Sequence, residues 1–225
     1  MTELERRLGH TFTDRRLLRA ALIHRSYAAE HAGVEDNERL EFLGDAVLQL
    51  AVTDLLYSRF PDLTEGEMAK VRAASVNRTE LAVIARRLGV DEAVLMGRGE
   101  ESSGGRTKDS ILADAMEAIL AAVYLDAGFE VARRVIVDHW EPLVRRKAEA
   151  PGGRDWKTRY QEHLAAEGRR PEYEVHGEGP DHAKVFSAVV KVEGVVTGRG
   201  TGRSKKEAEQ EAARSALEGG RDQRS

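Results

Sequence analysis

The sequence predicts an all-α domain followed by a small α+β domain of order helix, three strands, helix (α-β-β-β-α). Three observations predict it. Apolar residues recur at three- and four-residue spacing from Leu4 to about Arg146. The charged stretch "RRKAEAPGGRD", with Pro151, Gly152 and Gly153, then breaks the pattern as a flexible tether would. Beyond it, the period falls to the two residues of a half-covered sheet. The expected boundaries are a helical domain over 1–147, a linker over 148–154, a second domain over 155–220 and a disordered tail over 221–225. In a chain of 225 residues, each domain is large enough to bury a core without covalent staples.

Element by element, "LLRAALIHRS", "AVLQLAVTDLLYSRF", "ELAVIARRLG" and "ILADAMEAILAAVYL" carry the helical spacing. Thr64 with Glu67 fits a capping box, and "GRGEESSGGRTK" reads as a Gly/Ser-rich loop ahead of Ile111. After the tether, "DWKTRYQEHLAAEG" is a helix ending at Gly168, and "PEYEVHGEG", "AKVFSAVVKVEG" and "VVTGRGTGR" are strands, with Glu193-Gly194 as a tight hairpin turn. Phe186, Ala188, Val190 and Val192 alternate with Val185, Ser187, Val189 and Lys191, as one covered face requires. "SKKEAEQEAARSALEGG" closes the chain as a helix, with Ser204 and Glu207 as its capping box and Gly219 as its stop.

The absence of cysteine excludes disulfides, thiolate zinc sites and thiol nucleophiles, so any metal must sit on oxygen or imidazole. The longest uncharged apolar run, "AILAAVYL", falls far short of the roughly 20 residues of a membrane span. The expectation is a cytoplasmic protein that does not engage membrane. A net charge of -4 hides a split: residues 1–150 carry 21 Lys and Arg against 26 Asp and Glu, while residues 151–225 carry 14 against 13. The acids concentrate in the helical domain.

They do so in an unusual place. In "NERLEFLGDAVLQL" the acids Glu38, Glu41 and Asp45 project onto one stripe, with Leu40, Leu43, Val47, Leu50 and Ala51 on the other side. An acidic solvent face is the ordinary reading. Against it, Glu41 and Asp45 are the only charges between Leu40 and Ala51, and a helix apolar nearly all round is a buried one. The helix at Ile111 repeats the pattern, with Asp114 and Glu117 as its only charges up to Leu125. Four carboxylates brought together need cations between them, and a divalent metal is the economical answer. Oxygen ligands favour Mg²⁺, with Mn²⁺ as a substitute, and an open Mg²⁺ site fits phosphoryl chemistry. A helical di-iron centre would need a His three residues after a Glu, and no such pair exists. Phe42 projects beside the acids, where it either meets another helix of its own domain or fills a socket in a partner subunit.

In the second domain, Lys205 and Lys206 share a helix start with the backbone N–H groups after Ser204, a combination that makes a phosphate site. Solvated surface lysines are the plain alternative. Arg199 and Arg203 lie close by in sequence. A basic edge on a three-stranded sheet suits a duplex backbone better than splayed bases.

"NERLEFLGDAVL" resembles the signature of the ribonuclease III family. "FTDRRLLRAALIHRSY" ahead of it, "ILADAMEAILAAVYLD" behind it, and the later "GPDHAKVF" and "GRSKKEAEQEAA" extend the likeness to a catalytic and dimerisation domain followed by a double-stranded RNA-binding domain. The resemblance implies a metal site of Glu41, Asp45, Asp114 and Glu117, with Glu38 supporting activity or substrate engagement. It implies an Mg²⁺-dependent endoribonuclease that cuts both strands of an RNA duplex, leaving 5'-phosphate and 3'-hydroxyl ends with a short 3' overhang, in rRNA and mRNA processing. It also implies a homodimer with Phe42 packed into the partner, no organic cofactor, minor-groove contacts from Gln161, Glu162 and His182, and phosphate contacts from Lys205 and Lys206. Arg98, Arg106 and Lys108 are either loop surface or further backbone contacts. His24 and Ser26 match a family motif and read as a packed, hydrogen-bonded pair. Two other functions compete: a duplex RNA-binding protein that does not cut, which four intact acids oppose, and a helical metal-storage or redox protein, which the missing histidines oppose.

Overall fold

A computed structural model of the chain describes residues 2–149, 156–179 and 184–222. The chain divides into two compact units, Met1–Gly152 and Gly153–Ser225. The first holds α1 (Glu3–Leu8), α2 (Arg15–Ala21), α3 (Arg25–Glu30), α4 (Glu38–Arg59), α5 (Glu65–Ser75), α6 (Arg78–Leu88), α7 (Val90–Ala93), α8 (Arg98–Ser102), α9 (Asp109–Ala127) and α10 (Phe129–Ala148). Thr64 and Glu67 form the expected reciprocal cap on α5.

The central element is α9, buried from Ile111 to Val123 except at Asp114 and Glu117. It is rich in alanine, and α4 packs along it. The helix α4 is less enclosed than its composition predicts. Its buried stripe runs through Gly44, Val47, Leu48, Ala51, Val52, Leu55 and Leu56. Leu50, expected on the core side, is 56% exposed, and Phe42 is 84% and Tyr57 77% exposed. The acids therefore do not lie opposite the core. They flank it, because α9 approaches α4 on the Gly44 side and leaves the far side open.

The segment 97–108, expected as a loop, contains α8 and a 3₁₀ turn over Gly105–Thr107. Gly104, at φ +78°, makes the break between them. Ion pairs of Arg106 with Glu101 and Lys108 with Glu100 hold both turns in place. Of the expected linker, Ala148 still belongs to α10 and Glu149 follows it, while 150–154 lie outside the described residues.

The second unit runs α11 (Trp156–Ala165), β1 (Pro171–Glu178), β2 (Val185–Val192), β3 (Val195–Gly202) and α12 (Lys205–Asp222). The strands form one antiparallel sheet of order β1-β2-β3. Glu193 and Gly194 both take positive φ, +53° and +79°, as the two-residue turn demands. Ala188, Val190 and Val192 are buried and Phe186 partly so, which is the predicted alternation.

On β3, Gly198, Gly200 and Gly202 face the alanines of α12. A Cβ at Gly198 would stand 2.2 Å from the Ala212 carbonyl oxygen, and one at Gly200 2.2 Å from the Ala212 nitrogen. Helix and strand touch backbone to backbone. Gly219 does not stop α12, which continues at ordinary φ to Asp222, so the expected tail begins inside a helix; 223–225 lie outside the described residues. Ser204 caps the Glu207 N–H as expected, but the Glu207 carboxylate accepts from Arg203 N–H, one residue earlier than a capping box requires.

Candidate metal centre

Asn37 and Gly44 position the acids of α4. Asn37 is buried, and its side chain donates to the Ala21 carbonyl at 3.0 Å while its backbone N–H donates to Ile23 at 2.9 Å. The start of α4 is thus pinned to the end of α2. One turn past Glu41, Gly44 lets the helices close: a Cβ there would lie 1.8 Å from the Glu117 carbonyl oxygen. Glycine inside a helix costs about 1 kcal/mol relative to alanine, a price that close contact repays.

Glu41, Asp114 and Glu117 then meet, with one carboxylate oxygen from each within 4.8 Å of the others. Asp45, the fourth expected member, is exposed at the rim, and its Oδ1 accepts from Gln49 at 3.3 Å. It is close enough to act on Glu117 through its charge. Burial, then the charges of Asp45, Glu41 and Asp114, push the Glu117 carboxyl up to about 8. Burial also raises Glu41, with Asp114 the next cause, and raises Asp114 against the opposing pull of Arg78, His24 and Arg25. Oxygen donors that resist ionisation together fit a divalent cation, whose charge would replace the shared protons.

Beside the acids opens a cleft of about 290 Å³, lined by His24, Glu38, Glu100, Lys108 and Ser110 together with Glu41 and Asp114. Glu38 is exposed there, 3.7 Å from Arg25. Lys108 is bound to Glu100 at 2.6 Å and Arg106 to Glu101 and the Asp91 carbonyl, so Arg106 is committed to local structure. His24 and Ser26 are the expected pair, at 2.8 Å. Burial lowers the His24 pKa.

Phe42 stays exposed, and among the described residues no helix of its own unit covers it, against the first of its two expected roles. Gln161 and Glu162 are exposed side by side on α11, and Lys205 and Lys206 are exposed at the start of α12. His182 lies outside the described residues. Sequence reasoning missed Gly44 and Asn37; the one available signal was a glycine and an asparagine inside and at the edge of an otherwise apolar helix.

Residues 14–142 match the family model described as Ribonuclease-III-like, and 156–219 the double-stranded RNA binding motif. The chain is 53% identical to Ribonuclease 3 of Streptomyces coelicolor over 216 residues, covering 96% of this chain and 78% of that one. It is 55% identical to Ribonuclease 3 of Thermobifida fusca over 201 residues, covering 89% and 84%. Among solved structures, a nuclease domain of ribonuclease III from Campylobacter jejuni, described for flexibility in a region involved in dimer formation, aligns with TM-score 0.57 at 44% identity over 62% of this chain and 97% of that one. Dicer from Pichia stipitis aligns with TM-score 0.50 at 24% identity over 92% and 94%, a likeness of fold.

Proposed function

The chain belongs to the ribonuclease III family, and from that premise we propose that it is an endoribonuclease that hydrolyses both strands of an RNA duplex. The products are 5'-phosphate and 3'-hydroxyl ends with a short 3' overhang, and the work is processing of rRNA and mRNA in the cytoplasm. The observation that carries this reading is the meeting of Glu41, Asp114 and Glu117 beside an open cleft.

Glu41, Asp114 and Glu117 would hold Mg²⁺, or Mn²⁺ in its place, with Asp45 completing the set from the rim. A bound divalent ion supplies an acidified water and charge stabilisation at a phosphoryl centre. The chain's own residues do the rest. Glu117, the acid of this cluster that burial and its neighbours hold highest, is the group whose proton must leave before an ion can bind. Asp45 and Glu117 would orient the attacking water, and Glu38, exposed in the cleft, would engage the strand. Gln161, Glu162 and His182 read the duplex by its minor grooves, and Lys205 and Lys206 hold phosphates between them.

The exposed apolar stripe of Phe42, Ala46, Leu50 and Tyr57 on α4 supports a homodimer as part of this reading. Phe42 serves as the anchor in the partner. Two copies of the acid cluster would then face the two strands of one duplex.

The experiment is cleavage of a defined RNA duplex with end mapping, in Mg²⁺ and in EDTA, by the wild-type protein and Glu117→Gln. Wild type cuts both strands only with metal. Glu117→Gln loses about a thousandfold or more in rate while binding the duplex within about threefold. Full cleavage by the variant refutes the site; no cleavage by the wild type on any duplex refutes the function in favour of binding without cutting.

A further inference from the structure

His24 is built as a one-way donor. Gly97 N–H donates to Ser26 Oγ at 3.0 Å, so the Ser26 hydroxyl is free to give its own proton to His24 Nδ1 at 2.8 Å. The Ser26 backbone N–H points to the same nitrogen at 3.3 Å. With two donors converging on Nδ1, that nitrogen is the acceptor and the ring proton sits on Nε2. Among the described residues, no protein acceptor meets Nε2. Yet His24 lines the cleft shared with Glu38, Glu41 and Asp114. The two contacts at Nδ1 hold the ring, and the backbone that carries it is fixed as well, His24 N–H bonding to Leu95 and Leu95 N–H to Leu22 across a short parallel bridge.

The character of the cleft selects what such a donor binds. Its two cations are already engaged, Arg25 beside Glu38 at 3.7 Å and Lys108 on Glu100 at 2.6 Å. What remains is a neutral N–H among carboxylates. A second phosphate would meet repulsion there. A hydroxyl would not, since it accepts from an N–H and donates to a carboxylate at once.

Resting on the nuclease reading above, we propose that His24 Nε2–H binds a ribose 2'-hydroxyl of the RNA strand lying over the acids, with Glu38 accepting the hydroxyl proton. His24 thereby selects ribose over deoxyribose at one nucleotide next to the scissile bond. Deoxyribose there leaves Nε2–H without its partner.

The test places single 2'-deoxynucleotides along a duplex around the mapped cut and measures kcat/KM for wild type, His24→Asn and His24→Gln. Asparagine keeps an acceptor where Nδ1 stands and caps α3 well, but does not reach Nε2. Glutamine reaches Nε2 with an N–H. Wild type should lose roughly five- to tenfold at one position, the worth of a neutral hydrogen bond. His24→Asn should lose that factor on the all-ribose duplex and be indifferent to the deoxy substitution, while His24→Gln keeps the discrimination.

Several results overturn the proposal: no sensitive position in wild type, the same deoxy penalty in His24→Asn, or a penalty at a methylphosphonate linkage that His24→Asn abolishes while the deoxy penalty stays, which puts a phosphate on His24 instead. Thermal melting of each variant reports the fold, and a discrimination ratio taken within one variant is unaffected by partial loss of folded protein. If His24→Asn does not fold, retained discrimination in His24→Gln supports the proposal and its loss refutes it. Failure of the nuclease reading itself looks different, as wild type then leaves the all-ribose duplex uncut.

Discussion

At the scale of residues, Glu117 ties chemistry to stability. Its folded pKa of about 8 lies above the ordinary 4.5, so the folded chain prefers the protonated acid. Stability from this group is fully present below about pH 4.5 and is lost as pH rises through about 8. We expect the melting temperature of the metal-free protein to fall across that window, and Mg²⁺ to raise it more at the alkaline end than at the acid end. A Glu117→Gln variant whose metal-free melting temperature falls as much as that of wild type from about pH 5 to about pH 8 would show that Glu117 is not held protonated. The carboxylates were legible in the sequence because lone acids in apolar helices need a reason. Their grouping was less so: Glu41, Asp114 and Glu117 come together while Asp45 stays at the rim, a matter of helix rotation.

At the scale of elements, two close backbone approaches organise the molecule. Gly44 against Glu117 sets the separation of α4 and α9, and through it the spacing of Glu41 from Asp114 and Glu117. Gly44→Ala should cost about 1–3 kcal/mol or more in stability, seen as a lower denaturation midpoint, and should weaken Mg²⁺ binding even where the fold survives. An alanine variant with unchanged midpoint and metal affinity would mean the helices have room to spare. The glycines of β3 play the same part for α12. The helices and strands themselves were readable from periodicity, and the caps of α5 from Thr64 and Glu67. The run 97–108 was not, because glycine-rich composition hides short turns that ion pairs such as Lys108 with Glu100 stabilise from the side. Gly219 misled for a related reason: glycine ends a helix only when it takes a left-handed φ, and here it does not.

At the scale of the whole molecule, the exposed stripe on α4 and the basic start of α12 make separate predictions. Replacing Phe42 and Leu50 together by Glu should leave a folded monomer in sedimentation, with cleavage of both strands at one site lost; an unchanged dimer would refute the assigned interface. Binding of duplex RNA should weaken steeply with salt, and Lys205→Ala should reduce the slope by about 1 if that lysine holds a phosphate. An identical slope in the variant would leave Lys205 as ordinary surface. The sequence by itself determined the two-part architecture, the strand alternation with its hairpin turn, and the lone acids on which the proposed chemistry would rest, because each is written in local period and residue type. Only the tertiary structure decided that α4 has one open face, that Arg106 is held in local structure, and that His24, bonded to Ser26 through Nδ1, lines the cleft beside the acids. Those outcomes depend on which side a neighbouring element approaches and which hydrogen-bond partners it brings, and neither is encoded at short range along the chain.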